Sequence, residues 1–181
     1  MPDYRRTYLR GGTFFFTVVC YKRHPVFKEE AAIDLLRQCF QATMAMYPFR
    51  VDAIVVLPDH LHTIWTLPDN DPDFFTRWKR IKATFSRHYR GCIIGDISES
   101  MRRKREKGIW QRRFWEHVIR DQTDFNRHCD YIHYNPVKHG LVNSPLEWKH
   151  SSFRKFVEKG LYRQDWGNQQ SKDCLGWTLN D

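Results

Sequence analysis

Two apolar runs, FRVDAIVVL beginning at Phe49 and HLHTIWTL beginning at His60, are separated only by Pro58 and Asp59. Both are rich in β-branched and aromatic residues and read as strands. A joint this short turns the chain straight back, so the pair forms an antiparallel hairpin. Upstream, TFFFTVVCY (Thr13 to Tyr21) follows a glycine pair and reads as a buried strand. Between that strand and the hairpin, Ile33, Leu36, Phe40, Met44 and Tyr47 recur at helical spacing, and Pro48 ends the pattern.

Beyond the hairpin, DNDPDFFTRWKRIKATFSRHY predicts a helix with Asp71 as N-cap, Pro72 at the first helical position and Asp73 in the first turn. RGCIIGDISESMRRKREKG is polar and irregular, and a mobile loop is expected there. IWQRRFWEHVIR predicts a fourth strand, bent near Gln111. DQTDFNRHCDYIHYN predicts a third helix, capped by Asp121 or Thr123 and stopped by Pro136, and WKHSSFRKFVEKG a last helical piece. The order β-α-β-β-α-β implies an α+β fold. It is a ferredoxin-like βαββαβ antiparallel sheet with helices on one face, followed by a tyrosine-bearing helix. Residues 1–160 are expected to form one domain, and 161–181 a loosely held tail.

The chain has 181 residues, enough for one domain with a real core. Thirty Lys plus Arg stand against 21 Asp plus Glu, a formal charge of +9, which favours a polyanionic partner such as nucleic acid. The five cysteines, Cys20, Cys39, Cys92, Cys129 and Cys174, are odd in number and widely spaced. They form neither a disulfide framework nor a Cys-rich zinc site, and reduced thiols in a cytosolic protein fit best. The N-terminus lacks the apolar core of a signal peptide, and no run is long enough to span a bilayer.

Residues two apart on a strand face the same way, so His60 and His62 share one face while Leu61 and Thr63 share the other. Imidazoles are poor filler for an apolar run. Two of them a strand repeat apart can chelate one divalent ion; the bland alternative is a pair of solvated surface histidines. A third ligand is needed, and the third helix offers Asn135, one turn after Tyr131 on the same helix face. An amide oxygen suits a hard cation such as magnesium or manganese. Tyr131 could equally be a core aromatic. Tyr134 is a rival, but Asn135 points about 100° away from it around the helix.

DHLH on a strand, together with YIHYNPVKHGLV, resembles the REP-associated tyrosine transposases, single-tyrosine members of the HUH endonuclease superfamily. The letters stand for His, a hydrophobic residue and His; here these are His60, Leu61 and His62. DYRRTYLRGGTFFFTVVCYKRHPVF and GIWQRRFWEHVIRD carry the same resemblance, which spans Asp3 to Phe156. It implies that His60, His62 and Asn135 bind Mg2+ or Mn2+, and that Tyr131 attacks a scissile phosphate of single-stranded DNA. The product is then a 5′-phosphotyrosyl link and a free 3′-hydroxyl. A second 3′-hydroxyl reverses the step without ATP, consistent with the lack of a G-x-x-x-x-G-K-[ST] run. The residues single out no base for Tyr131, although His128 and His133 are near it in sequence.

The resemblance also implies a REP-type hairpin as partner, with Tyr4, Arg5 and Arg6 reading a short tetranucleotide beside it. A monomer working in the bacterial cytosol, at the nucleoid, is implied as well; dimers occur among related insertion-sequence enzymes. Arg77, Lys79, Arg80, Lys82 and Arg87, with Arg112 and Arg113, are candidates for phosphate contacts. Trp78, Trp110 or Trp115 are candidates for stacking on unpaired bases. Two other readings stand beside this one. One is a non-catalytic single-strand binder using aromatics on the sheet face, and the other a metal-dependent hydrolase that uses water.

Overall fold

A computed structural model describes residues 9–91 and 97–168. Four strands, β1 (Thr13–Val19), β2 (Arg50–Val56), β3 (His60–Thr66) and β4 (Trp115–Val118), form one sheet in the order β2-β3-β1-β4. Every neighbouring pair is antiparallel. This is the split βαβ arrangement expected from the order of elements. The hairpin joint is Leu57–Pro58–Asp59, closed by the Leu57 N–H donating to the His60 carbonyl at 2.8 Å.

Helices α1 (Glu30–Met46) and α2 (Phe74–His88) cover one face. There Phe14, Phe16, Val18, Leu61 and Trp65 meet Ile33, Leu36, Phe40, Trp78 and Phe85. Trp65 and Trp78 stack with ring centroids 4.2 Å apart. Helix α4 (Gln122–Lys138) packs on the opposite face, where Phe15, Ala53, Val55 and Ile64 meet Cys129, Tyr131 and Ile132. Strict alternation along β1 and β3 makes both faces apolar, so the sheet needs a cover on each.

Several local expectations need correction. The N-cap of α2 is Asp73, whose carboxylate accepts from the Thr76 N–H at 2.8 Å. Asp71 accepts from the Asp73 N–H instead and pairs with Arg77. Ser98 caps a short helix, α3 (Glu99–Arg103), inside the segment expected to be a loop. The fourth strand is only Trp115–Val118; Trp110 keeps a single bridge to Cys20, and Lys82 donates to the Gln111 carbonyl beyond it. Helix α4 is capped by Asp121 and runs through Pro136 to Lys138. A proline forfeits one intrahelical bond and need not stop a helix within its last turn.

The edge of β2 is covered by residues 150–152: the Val56 N–H donates to the His150 carbonyl, and the Ser152 N–H to Ile54. Helix α5 (Phe153–Glu158) follows. Tyr162 and Trp166, expected in a loose tail, pack on Phe153 at 5.3 and 5.7 Å. Cys20, Cys39 and Cys129 are buried free thiols. Among the described residues, no helix is long and apolar enough to cross a membrane.

Candidate active site

The alternation of β3 sends Leu61 and Trp65 toward α1 and α2, and His60, His62 and Ile64 toward α4. Both histidines are buried, with ring centroids 4.8 Å apart. Each is held through its Nδ1. His62 meets the Thr17 hydroxyl at 2.9 Å, across the β1–β3 register, and His60 meets the Asp59 carboxylate at 2.6 Å. Such bonds fix the rings and leave Nε2 as the atom each could offer to a metal. Burial pushes the Asp59 carboxyl up, but the hydrogen bond and charge of His60, backed by Arg23, outweigh it and hold the pKa down at about 2.

Helix α4 supplies the rest. Tyr131 lies with its ring 5.0 Å from that of His62, edge to face, and His139, just past the helix, lies 5.4 Å from His60. Asn135 falls between them on the same stripe, four residues from each. Asn135 is 0% exposed, and neither its Oδ1 nor its Nδ2 has a hydrogen-bond partner among the described residues. An orphaned buried carboxamide costs about 1–3 kcal/mol. A cation bound at its oxygen satisfies the acceptor half of that group, so two imidazoles and this amide fit a divalent ion. Tyr134 leans the other way and meets Trp166 at 6.4 Å, so Tyr131 is the tyrosine that faces the histidines.

Residues 12–135 match the family described as Transposase IS200 like. A REP-associated tyrosine transposase of Escherichia coli is 43% identical over 97% of this chain and 97% of its own length. The chain belongs to the REP-associated tyrosine transposases. A Haemophilus influenzae protein given the same name provisionally is 42% identical, over 97% of this chain and 99% of its own. A solved REP-associated tyrosine transposase bound to a REP hairpin superposes with a TM-score of 0.77 at 39% identity, covering all of both chains. The enzyme is therefore a tyrosine transposase with that fold.

The transposase's basic residues divide by position. Lys79 and Arg87 on α2 are exposed, as are Arg112 and Arg113 before β4, while Arg80 is half-buried over the Tyr47 ring. Arg77 departs from the expectation of a phosphate contact. It is 1% exposed, and its guanidinium donates to Asp71 and to the carbonyls of Asp73 and Pro48. Lys82 donates to the Gln111 carbonyl, and burial lowers its pKa to about 8. Trp78 and Trp110 are core residues. Trp115, 46% exposed, is the exposed one of the three, and the register sets it in one cross-strand row with Thr17 and His62. Tyr4, Arg5 and Arg6 lie outside the described residues.

The sheet-face alternative needs exposed aromatics, yet Phe14, Phe15 and Phe16 are all buried. Sequence reading missed His139, whose signal was its i+8 spacing from Tyr131. It also missed a second group, His117, Asp124 and His128, whose ligand atoms all lie within 4.8 Å of one another. Family membership and this cluster are both consistent with a divalent metal.

Proposed function

We propose that this transposase nicks and rejoins single-stranded DNA at REP-type hairpins through a 5′-phosphotyrosine on Tyr131. The observation that carries the reading is the Tyr131 ring 5.0 Å from His62, with the orphaned Asn135 carboxamide one turn further along α4. The Tyr131 oxygen forms a bond to phosphorus as the bond to the 3′ oxygen breaks. The phenol proton is given up, and the departing oxygen ends as a 3′-hydroxyl. The link conserves the phosphodiester, so another 3′-hydroxyl reverses the step. His60, His62 and Asn135 would hold Mg2+ or Mn2+, which supplies Lewis acidity at the phosphate. Lys138, with its ammonium 5.1 Å from the Tyr131 ring, adds positive charge where phosphate arrives.

The REP hairpin named for the solved relative is the natural substrate class, since that relative matches this chain over its full length. A basic groove of about 640 Å³ runs between α2 and residues 101–112, lined by Lys79, Lys82, Arg87, Lys107 and Arg112. It lies on the face of the sheet away from Tyr131. A strand engaging both must cross the β4 edge. There Trp115 offers a stacking surface two strands from His62, about 10 Å at the usual strand spacing. Tyr4, Arg5 and Arg6 are assigned to the sequence flanking the hairpin. The enzyme is proposed to act as a monomer in the bacterial cytosol, at the nucleoid.

The test is a denaturing-gel adduct assay on a labelled single-stranded oligonucleotide carrying a REP hairpin from beside the protein's own gene. A covalent band is expected with Mn2+, lost with chelator and lost in Tyr131→Phe. An undiminished band in Tyr131→Phe would remove the assignment. Tight binding without any band would turn the protein into a binding module.

A further inference from the structure

Beyond the residues proposed to act on DNA, one cluster has the makings of a site. His117 stands on β4, opposite Phe15 in the register, and Asp124 and His128 stand one turn apart near the start of α4. His117 Nε2 lies 2.9 Å from one Asp124 oxygen, and His128 Nδ1 lies 3.0 Å from the other. The two imidazoles are face to face at 4.7 Å. His128 is 3% exposed; its Nδ1 also meets the Asp124 carbonyl at 2.8 Å, and its Nε2 has no hydrogen-bond partner among the described residues. The Phe15 ring separates this cluster from the His60–His62 pair, at 4.8 Å from His128, 5.6 Å from His62 and 6.0 Å from Tyr131.

We propose that His117, Asp124 and His128 form a second metal site, distinct from His60, His62 and Asn135, that takes a first-row transition dication of the zinc class. Two imidazoles and one carboxylate are the donor set such ions prefer, whereas magnesium and calcium favour oxygen. An i, i+4 pair on a helix presents two ligands on one face, and the neighbouring strand supplies the third. His117 and Asp124 are partly exposed, at 24% and 19%, which leaves an entry path and a position for water. Without the ion, the carboxylate is shared between the two rings and the Arg120 N–H. The ion takes over both ring interactions and ties β4 to the first turns of α4. The next turn carries Tyr131, and β4 carries Trp115, so the site would fix the helix and the edge strand relative to each other. The proposal is independent of the role given to Tyr131.

The test is to count zinc. Equilibrium dialysis of the full chain against Zn2+, read by elemental analysis, is run on wild type, on His117→Gln and on the His60→Ala/His62→Ala double variant. Visible absorption of the Co2+ forms reports the coordination geometry of the bound ion. The double variant is expected to hold one equivalent, and adding His117→Gln or Asp124→Asn should weaken binding by at least about 10-fold. Circular dichroism checks each fold. Should the double variant not fold, the comparison of wild type with His117→Gln decides: the loss of one equivalent supports the site. Equal zinc content in those two proteins, or a folded double variant that holds none, overturns it.

Discussion

At the scale of single residues, Asn135 carries the tension of the site. A core built for stability alone would not bury a carboxamide with no partner, so the residue is held there at a cost in folding energy. Asn135→Leu, close in volume and without polar atoms, is therefore expected to leave the metal-free protein as stable as wild type or up to about 2 kcal/mol more stable. The same change should abolish the Mn2+-dependent adduct. Thermal melts in chelator and the adduct assay read the two effects separately. A fall in melting temperature of the size seen for an ordinary core deletion would show that Asn135 is structural. The histidines show the complementary arrangement, because Asp59 and Thr17 orient them before any ion binds.

At the scale of elements, α4 has two working faces. One presents Tyr131 and Asn135 to β3. The other buries His133, whose Nε2 meets the Ser152 hydroxyl at 2.9 Å under the rings of Phe153, Phe156 and Tyr162. Burial lowers the His133 pKa from 6.5 to about 3. The unfolded chain thus takes up this proton first as pH falls. The contribution of His133 to stability is intact above about pH 6.5 and drains away as pH falls toward about 3. Across that window it adds a slope of about 1.4 kcal/mol per pH unit. Urea midpoints measured against pH should fall less steeply for His133→Leu than for wild type; identical slopes would contradict the buried, neutral assignment.

How far such elements could be read from sequence depends on where their signal lies. The hairpin at Pro58–Asp59, the helical stripe of α1 and the Tyr131–Asn135 spacing are local patterns, and they were legible. The N-cap of α2 was not, because Asp71 and Asp73 are both plausible caps, and the ion pair with Arg77 draws Asp71 away. The length of β4 depends on pairing with β1, and Pro136 is tolerated because only two helical residues follow it. The His117–Asp124–His128 cluster became visible only once strand and helix were packed together, and the spacing of His139 gained its meaning only from the contact with His60.

At the scale of the whole molecule, the proposed DNA binding draws on the net charge of +9 and on a sheet covered on both faces. Phosphate contacts should make affinity fall linearly on a log–log plot against salt, with about 0.7 in slope per phosphate on single-stranded DNA. Lys79→Ala and Arg113→Ala, both at exposed positions, should each flatten the slope by about one such contact without changing the melting temperature. Binding of a labelled hairpin oligonucleotide, measured by anisotropy at several salt concentrations, tests this. Salt-insensitive affinity would remove the electrostatic account.

The central claim is that Tyr131, placed against His62, is the atom-level point of attachment to DNA. The most direct measurement is peptide mapping by tandem mass spectrometry of the protein after reaction with hairpin DNA and Mn2+, followed by nuclease trimming. A nucleotide carried on Tyr131 by its 5′-phosphate is the predicted result. A nucleotide on Tyr134 or on any other residue, or cleaved DNA with no modified peptide, would contradict it.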